Sequence, residues 1–309
     1  MNTLKTATHS HHSGAAPLLA EMAGLHAALQ VSDDAVAGAP IRLTYRLSVL
    51  DTGRPLTDIV ESHERMLHTV VVSRDLAGFV HTHPVVGPDA GSFVGELNVS
   101  AAGTYLAFTE FERESGQRVL LRHEFDIGGP SKELAEPEPG DMVRRTAGYA
   151  VSLLHEESLH AGRSIAFVLE VRNEATGSGV RNLQPYLGAA AHVIIIRDAS
   201  FQFSHHDGEP LGGTESDTGP RQDGFGPYIG FEHVFEEAGV YRIWAQFNGA
   251  DGETRTAAWT VDAVDPEGEP HAREPLPPQF ATLAASTAHH GHHQAMGDVP
   301  GDSSSGPDR

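Results

Sequence analysis

The stretch HERMLHTVVVSRDLAGFVHTHP, His63 to Pro84, decides how the rest of the chain is read. Two alternating apolar runs, Met66 to Ser73 and Gly78 to His83, flank the polar segment Arg74 to Ala77, which predicts a β-hairpin with a short loop. If Ser73 pairs with Gly78, His68 lies opposite His83, and His81 sits diagonally from His68 on the same face. Opposed Cβ atoms in a ladder are about 5 Å apart and diagonal ones about 7 to 8 Å, so three imidazoles can meet one ion. His63 and Met66, just upstream, are candidate additional ligands. A structural reading competes. Val70, Val72 and Phe79 share the histidine face, which makes it the core side of the hairpin with the imidazoles at its rim, and buried histidines are usually hydrogen-bonded rather than ligating. A one-residue slip would also send His68 to the opposite face.

The composition narrows the chemistry. With 309 residues and 39% apolar content the chain can build two domains, and its 33 glycines and 19 prolines among alternating Val, Leu, Ile and Phe favour strands and turns over helices. The absence of cysteine excludes disulfides, thiolate sites and thiol catalysis, leaving methionine as the sole soft ligand. Histidine, at 20 copies, is the unusual component. A formal charge of -21 repels phosphate backbones and anionic lipid heads, arguing against nucleic acid and membrane surfaces as partners and in favour of cations, although acidity also simply keeps a protein dispersed. No apolar run reaches the length of a membrane span, and the first residues lack a signal-peptide core.

Outward from the hairpin, the chain repeats itself. Sliding the sequence by 124 positions aligns Ala23 to Pro84 with Ala147 to Gly208, so that His68, Phe79 and His81 meet His192, Phe203 and His205. After an insertion between about Gly208 and Phe225 the offset becomes 136, and Ala102-Gly103, Tyr105 and Phe111 meet Ala238-Gly239, Tyr241 and Phe247. In the first copy the alternation predicts strands near 25–31, 41–49, 66–73, 78–83, 92–99, 103–112 and 117–126. Short strands at this spacing, separated by turn signals, point to an all-β chain of two tandem immunoglobulin-like β-sandwiches, without the Cys-Trp-Cys pattern of antibody domains. The expected organisation is a disordered His-containing segment over 1–22, the first sandwich over 23–127, an acidic Pro/Gly linker over 128–146, the second sandwich over 147–264 and a disordered His-rich tail over 265–309.

The pieces MLHTVVVSRDLAGFVHTHP and NLQPYLGAAAHVIIIRDASFQFSHHDGEP, each followed by an Ala-Gly-x-Tyr strand at Ala102 and Ala238, make the chain similar to bacterial YtkA-like proteins. These are small immunoglobulin-like domains of exported or heavy-metal-associated proteins. The resemblance covers both repeats and implies metal binding or metal homeostasis, with copper the first ion to name, and an exported or periplasmic location. His68, His81 and His83 fall on the family-like histidines of the first repeat, and His192 and His205 on those of the second. The second copy departs from the HxHP form, reading His205-His206-Asp207-Gly208.

The same register gives the second repeat a His192, His205 and Asp207 set, with His206 expected to face solvent. Two histidines and a carboxylate suit Zn, Fe(II) or Mn, whereas three imidazoles suit Zn or Cu(II) and a nearby methionine would favour copper. His63, Met66 and His83 align with Leu187, Ala190 and Asp207, which favours ligation in the first repeat. His289, His290, His292 and His293 form a flexible imidazole cluster able to capture Cu(II), Ni(II) or Zn. Catalysis has no support from a GxSxG, HExxH or phosphate-cradling motif, and Glu110, Glu112 and Glu232 read as solvated strand exteriors. Trp244, Phe108, Tyr105 and Tyr241 read as core or sandwich-corner residues. Two functions stay open: a non-enzymatic metal-binding protein for scavenging, buffering or resistance, and a structural adaptor that binds a protein partner through sheet edges or the inserted loop. A metal-dependent enzyme is the third and weakest.

Overall fold

The computed structural model describes residues 17–131, 140–155, 158–211 and 224–265, and every regular element among them is a strand. In the first repeat these are β1 (Leu18–Leu19), β2 (Leu25–Val31), β3 (Ile41–Val49), β4 (Ile59–Val60), β5 (His68–Ser73), β6 (Phe79–Thr82), β7 (Val85–Val86), β8 (Ser92–Leu97), β9 (Gly103–Arg113) and β10 (Arg118–Ile127). The second repeat holds β11 (Val143–Thr146), β12 (Tyr149–His155), β13 (Ser164–Asn173), β14 (Ala191–Arg197), β15 (Phe203–Pro210), β16 (Tyr228–Val234), β17 (Gly239–Asn248) and β18 (Thr254–Ala263). The fold is all-β, a pair of immunoglobulin-like sandwiches.

The first sandwich packs the sheet β2-β3-β8-β7 on β1-β10-β9-β5-β6, with Ile41, Leu43, Tyr45 and Leu47 from β3 facing Val71, Tyr105 and Ala107. Alternation explains this: β3 reads buried at every second residue, one face to the core and one to water. In the second sandwich the equivalent sheets are joined into one. β15 pairs with β14 through Gly208 and then crosses to β16 at Glu209 and Pro210. The first repeat cannot do this because Pro84 stands where Gly208 does, lacks an N–H for the ladder, and splits the strand into β6 on β5 and β7 on β8. Each sandwich has a tyrosine corner, with the Tyr105 hydroxyl donating to the Ala101 carbonyl (2.8 Å) and Tyr241 to Glu237 (2.7 Å).

Two segments expected to be unstructured hold strands. Leu18 and Leu19 run parallel to β10, and Ala20 joins the core. In the linker, β11 adds antiparallel to β12, Met142 packs on the second core and its carbonyl accepts the indole N–H of Trp259 (3.1 Å). Residues 1–16, most of the linker (132–139), the inserted loop (212–223) and the tail (266–309) lie outside the described residues.

β5 along its whole length, and β14 from Ala191 to Ile196, are buried on both faces. One face belongs to the sandwich core; the other meets the opposite domain. Val70, Val72, Leu76, Leu106 and Phe108 of the first repeat form one apolar cluster with Ile194, Ile196 and Trp244 of the second. The contacts are reciprocal. Phe79 stacks on Trp244 (centroids 5.0 Å apart, planes at 17°), while its counterpart Phe203 stacks on Phe108, the counterpart of Trp244 (4.9 Å, 9°). Two copies of one surface meet here as subunits of a two-fold dimer would. The hairpin face carrying the histidines is therefore not the core side of its own sandwich, as the alternation suggested, but the surface that docks on the other domain.

Candidate metal centre

The β5–β6 hairpin has the expected register: Thr69 pairs with Thr82 and Val72 with Phe79, and the Ser73 N–H bonds the Gly78 carbonyl. His68 therefore meets His83 (ring centroids 5.0 Å apart) and His81 (5.9 Å), and His81 meets His83 (4.5 Å). In the second repeat His192 pairs with Asp207 across the β14–β15 ladder, with His205 beside it. In each group, one ligand atom per residue lies within 4.8 Å of the others, a separation that lets a metal ion be held.

Imidazole protons decide what these groups can do. Behind His68, Nε2 bonds the main-chain carbonyl of Ser62 (2.9 Å); behind His192, Nε2 bonds the equivalent carbonyl of Tyr186 (3.1 Å). His81 Nδ1 bonds the Gln246 carbonyl oxygen (2.8 Å), and His205 Nδ1 bonds Glu110 Oε2 (2.9 Å). Each acceptor assigns the proton to the outward nitrogen and leaves a lone pair on the inward one, as the outer partners of metal-bound histidines do. In the first group the inward atoms His68 Nδ1 and His81 Nε2, together with His83 Nε2, are buried and without a hydrogen-bond partner. In the second, His192 Nδ1 lies 2.9 Å from His205 Nε2 and 3.2 Å from Asp207 Oδ1. Three acceptors at that distance require a proton or a cation among them.

Burial and the neighbouring imidazoles depress the first group, holding His68 at about 4 and His83 at about 3, with His81 also well below the usual histidine value. Burial likewise lowers His192. Desolvation works to raise Asp207 and Glu110. At Asp207 a proton shared with His192 Nδ1 and the hydrogen bond from His63 overcome it, and at Glu110 the hydrogen bond from His205, with Arg118, does so, and both carboxyls titrate below their ordinary values. The first group thus offers neutral imidazoles and the second an ionised Asp207, the protonation that a metal needs of such ligands.

Not every candidate joins. Met66 packs against the apolar core of the first sandwich. His63 does not complete the first group: its Nε2 pairs with Asp207 Oδ2 of the second domain (3.0 Å), a contact that outweighs burial and raises its pKa. His206 does not face solvent; it bonds His233 (3.0 Å) and packs on Phe231. His289, His290, His292 and His293 lie outside the described residues. Sequence reasoning missed Glu110 and Gln246. Glu110, expected on a solvated strand exterior, is 7% exposed, because the exterior of β9 is the domain interface. The signal that could have found the pair is the repeat itself, since the offset of 136 sets Glu110 on Gln246.

Residues 20–128 and 144–265 match the family described as Domain of unknown function (DUF8832). No curated protein matches the chain. Among solved structures, the chain is similar to the adhesin InvE of Yersinia pseudotuberculosis, at 10% identity over 76% of this chain and 58% of that one, TM-score 0.21. It is similar to a tetra-tandem repeat in the extending region of a large adhesion protein, at 7% identity over 78% of this chain and 49% of that one, TM-score 0.25. It is also similar to the fibronectin(III)-like modules of Clostridium thermocellum CbhA, at 10% identity over 80% of this chain and all of that one, TM-score 0.21. The chain spans 58% and 49% of the length of the first two. None of these matches carries the YtkA-like name. With both halves fitting one description, the chain belongs to the DUF8832 family and carries its domain twice.

Proposed function

We propose that this protein is a non-enzymatic metal-binding protein, copper-directed, that scavenges or buffers the ion. One observation carries the reading: the outward nitrogens of four histidines are bonded to acceptors, so that their inward lone pairs converge on two buried points. An all-imidazole set suits copper and zinc, and copper(II) stands highest in affinity among the first-row divalent ions. The resemblance of both hairpins to those of heavy-metal-associated proteins supports the same choice. Elemental analysis of the full chain, purified without an affinity column and with His9, His11, His12, His289, His290, His292 and His293 changed to alanine, tests it. About one to two copper ions per chain are expected, with loss of at least one on His68→Ala, His81→Ala, His83→Ala substitution. No retained or added copper, with zinc also refused, would sink the proposal.

The adaptor reading keeps one observation on its side. The edge strand β7 exposes Val85 and Val86 side by side at the open end of its sheet, a place where another strand can add. Metal-independent capture of a partner that Val85→Lys abolishes would favour it.

A further inference from the structure

Each candidate group draws its ligands from one domain, but neither domain builds its site alone. Gln246, which orients His81, belongs to the second domain; Glu110, which orients His205, belongs to the first. The third crossing contact is His63 of the first domain on Asp207 of the second. Across the interface the rings of His68 and His81 stand 5.8 to 6.0 Å from those of His192 and His205, about as far as His68 stands from His81 within the first group (5.9 Å). Resting on the metal-binding reading, we infer that the two groups are a single two-ion centre spanning the domain interface, in which each domain ligates its own ion and orients the ligands of the other's.

The local structure is built for this. His63 and Glu64 both adopt left-handed backbone, with φ of 52° and 63°, in a tight turn closed by Ser62 and Arg65. The second repeat has the same turn at Leu187 and Gly188, with φ of 48° and 79°. Two successive positive φ values in non-glycine residues cost energy, and such strain persists where the surroundings enforce it. Here the turn delivers the Ser62 carbonyl to His68 and the His63 ring to Asp207. The aromatic stacks Phe79–Trp244 and Phe108–Phe203 fix the docking to which the crossing bonds are sensitive.

The two sides differ in charge. The first offers three neutral imidazoles backed by a neutral amide; the second offers two imidazoles and a carboxylate, backed by the carboxylate of Glu110. The carboxylate side loads first with a divalent ion, and the charges of Asp207 and Glu110, partly shared with His63 and Arg118, lessen the repulsion between two ions held close together.

The test uses the full chain without tail histidines, titrated with Cu(II). Two ions are expected per chain, with a half-field electron paramagnetic resonance transition from the dipole-coupled pair that a one-ion sample lacks. On an Asp207→Ala background, which keeps only the first group, Gln246→Leu should weaken the remaining ion about 10- to 100-fold and Gln246→Glu should restore it, while Glu110→Leu should not. On a His83→Ala background, Glu110→Leu should weaken the ion and Gln246→Leu should not. Binding of two ions without dipolar coupling, of one ion only, or with each outer residue acting solely on its own domain's ion, overturns the two-ion centre while leaving the metal-binding reading in place. Uptake of no ion by the starting chain overturns that reading itself.

Discussion

His83 shows what the site costs the fold. Its Nε2 is buried without a partner, a condition that typically costs about 1 to 3 kcal/mol. His83→Leu is therefore expected to leave the metal-free chain as stable as before or more so, while removing the rise in melting temperature that copper gives the parent; calorimetry with and without the ion checks both. Protons bear on the same balance. His68, His83, His206 and His233 titrate at about 4, 3, 4 and 3 in the folded chain, burial being the first cause in each. Unfolded, they would take up protons near 6.5. The unfolded state thus binds more protons throughout that window, so the stability these groups allow is complete above about pH 6.5 and is lost as the pH falls towards 4 and 3. Urea midpoints of the metal-free protein should fall steadily over that range, less so for His233→Phe, and a flat profile would contradict the burial of these rings. At this scale the sequence was informative about His68, His81, His83, His192, His205 and Asp207, because strand alternation sorts side chains by face. Alternation misplaced Glu110 and passed over Gln246, since it says which face a residue is on and not what covers that face; only the repeat offset sets the two on each other.

Among the elements, β5 and β14 are the two that alternation undersold. Their runs Val70-Val71-Val72 and Val193-Ile194-Ile195-Ile196 are continuous rather than alternating, the pattern of a strand covered on both sides. Such a run marks a second buried face, which the reading of Met66 to Ser73 as alternating passed over, and it does not say which surface docks. Trp244 lies at the centre of the docked face, so Trp244→Ala should cost about 3 to 5 kcal/mol, visible as a lower urea midpoint, and Phe79→Ala should add little on top of it because the two rings stack on each other. β15 offers a sharper test. A Cβ at Gly208 would come within 2.6 Å of Ile229 Cγ2, a buried and branched neighbour, so Gly208→Ala should destabilise the second sandwich by about 1 to 3 kcal/mol. A neutral result would mean the β15 crossover is looser than its contacts indicate. The β1 and β11 strands could not be foreseen from their neighbourhoods, because segments of two and four residues carry too little pattern to separate from a linker.

At the scale of the molecule, the docked surfaces are apolar, reciprocal and stacked, which makes association independent of the covalent connection. Chains covering 1–131 and 132–309, expressed together, should purify as a one-to-one complex that separates on Trp244→Ala substitution; halves that elute apart would show that the tether alone holds the domains together. Two identical chains meeting about a rotation axis must present the same groups to it. Joining them head to tail lifts that obligation: His63 is answered by Leu187, His83 by Asp207, and Glu110 by Gln246. A fused pair can therefore tune one half of its shared pocket by a single substitution, where a homodimer would be forced to make every change twice.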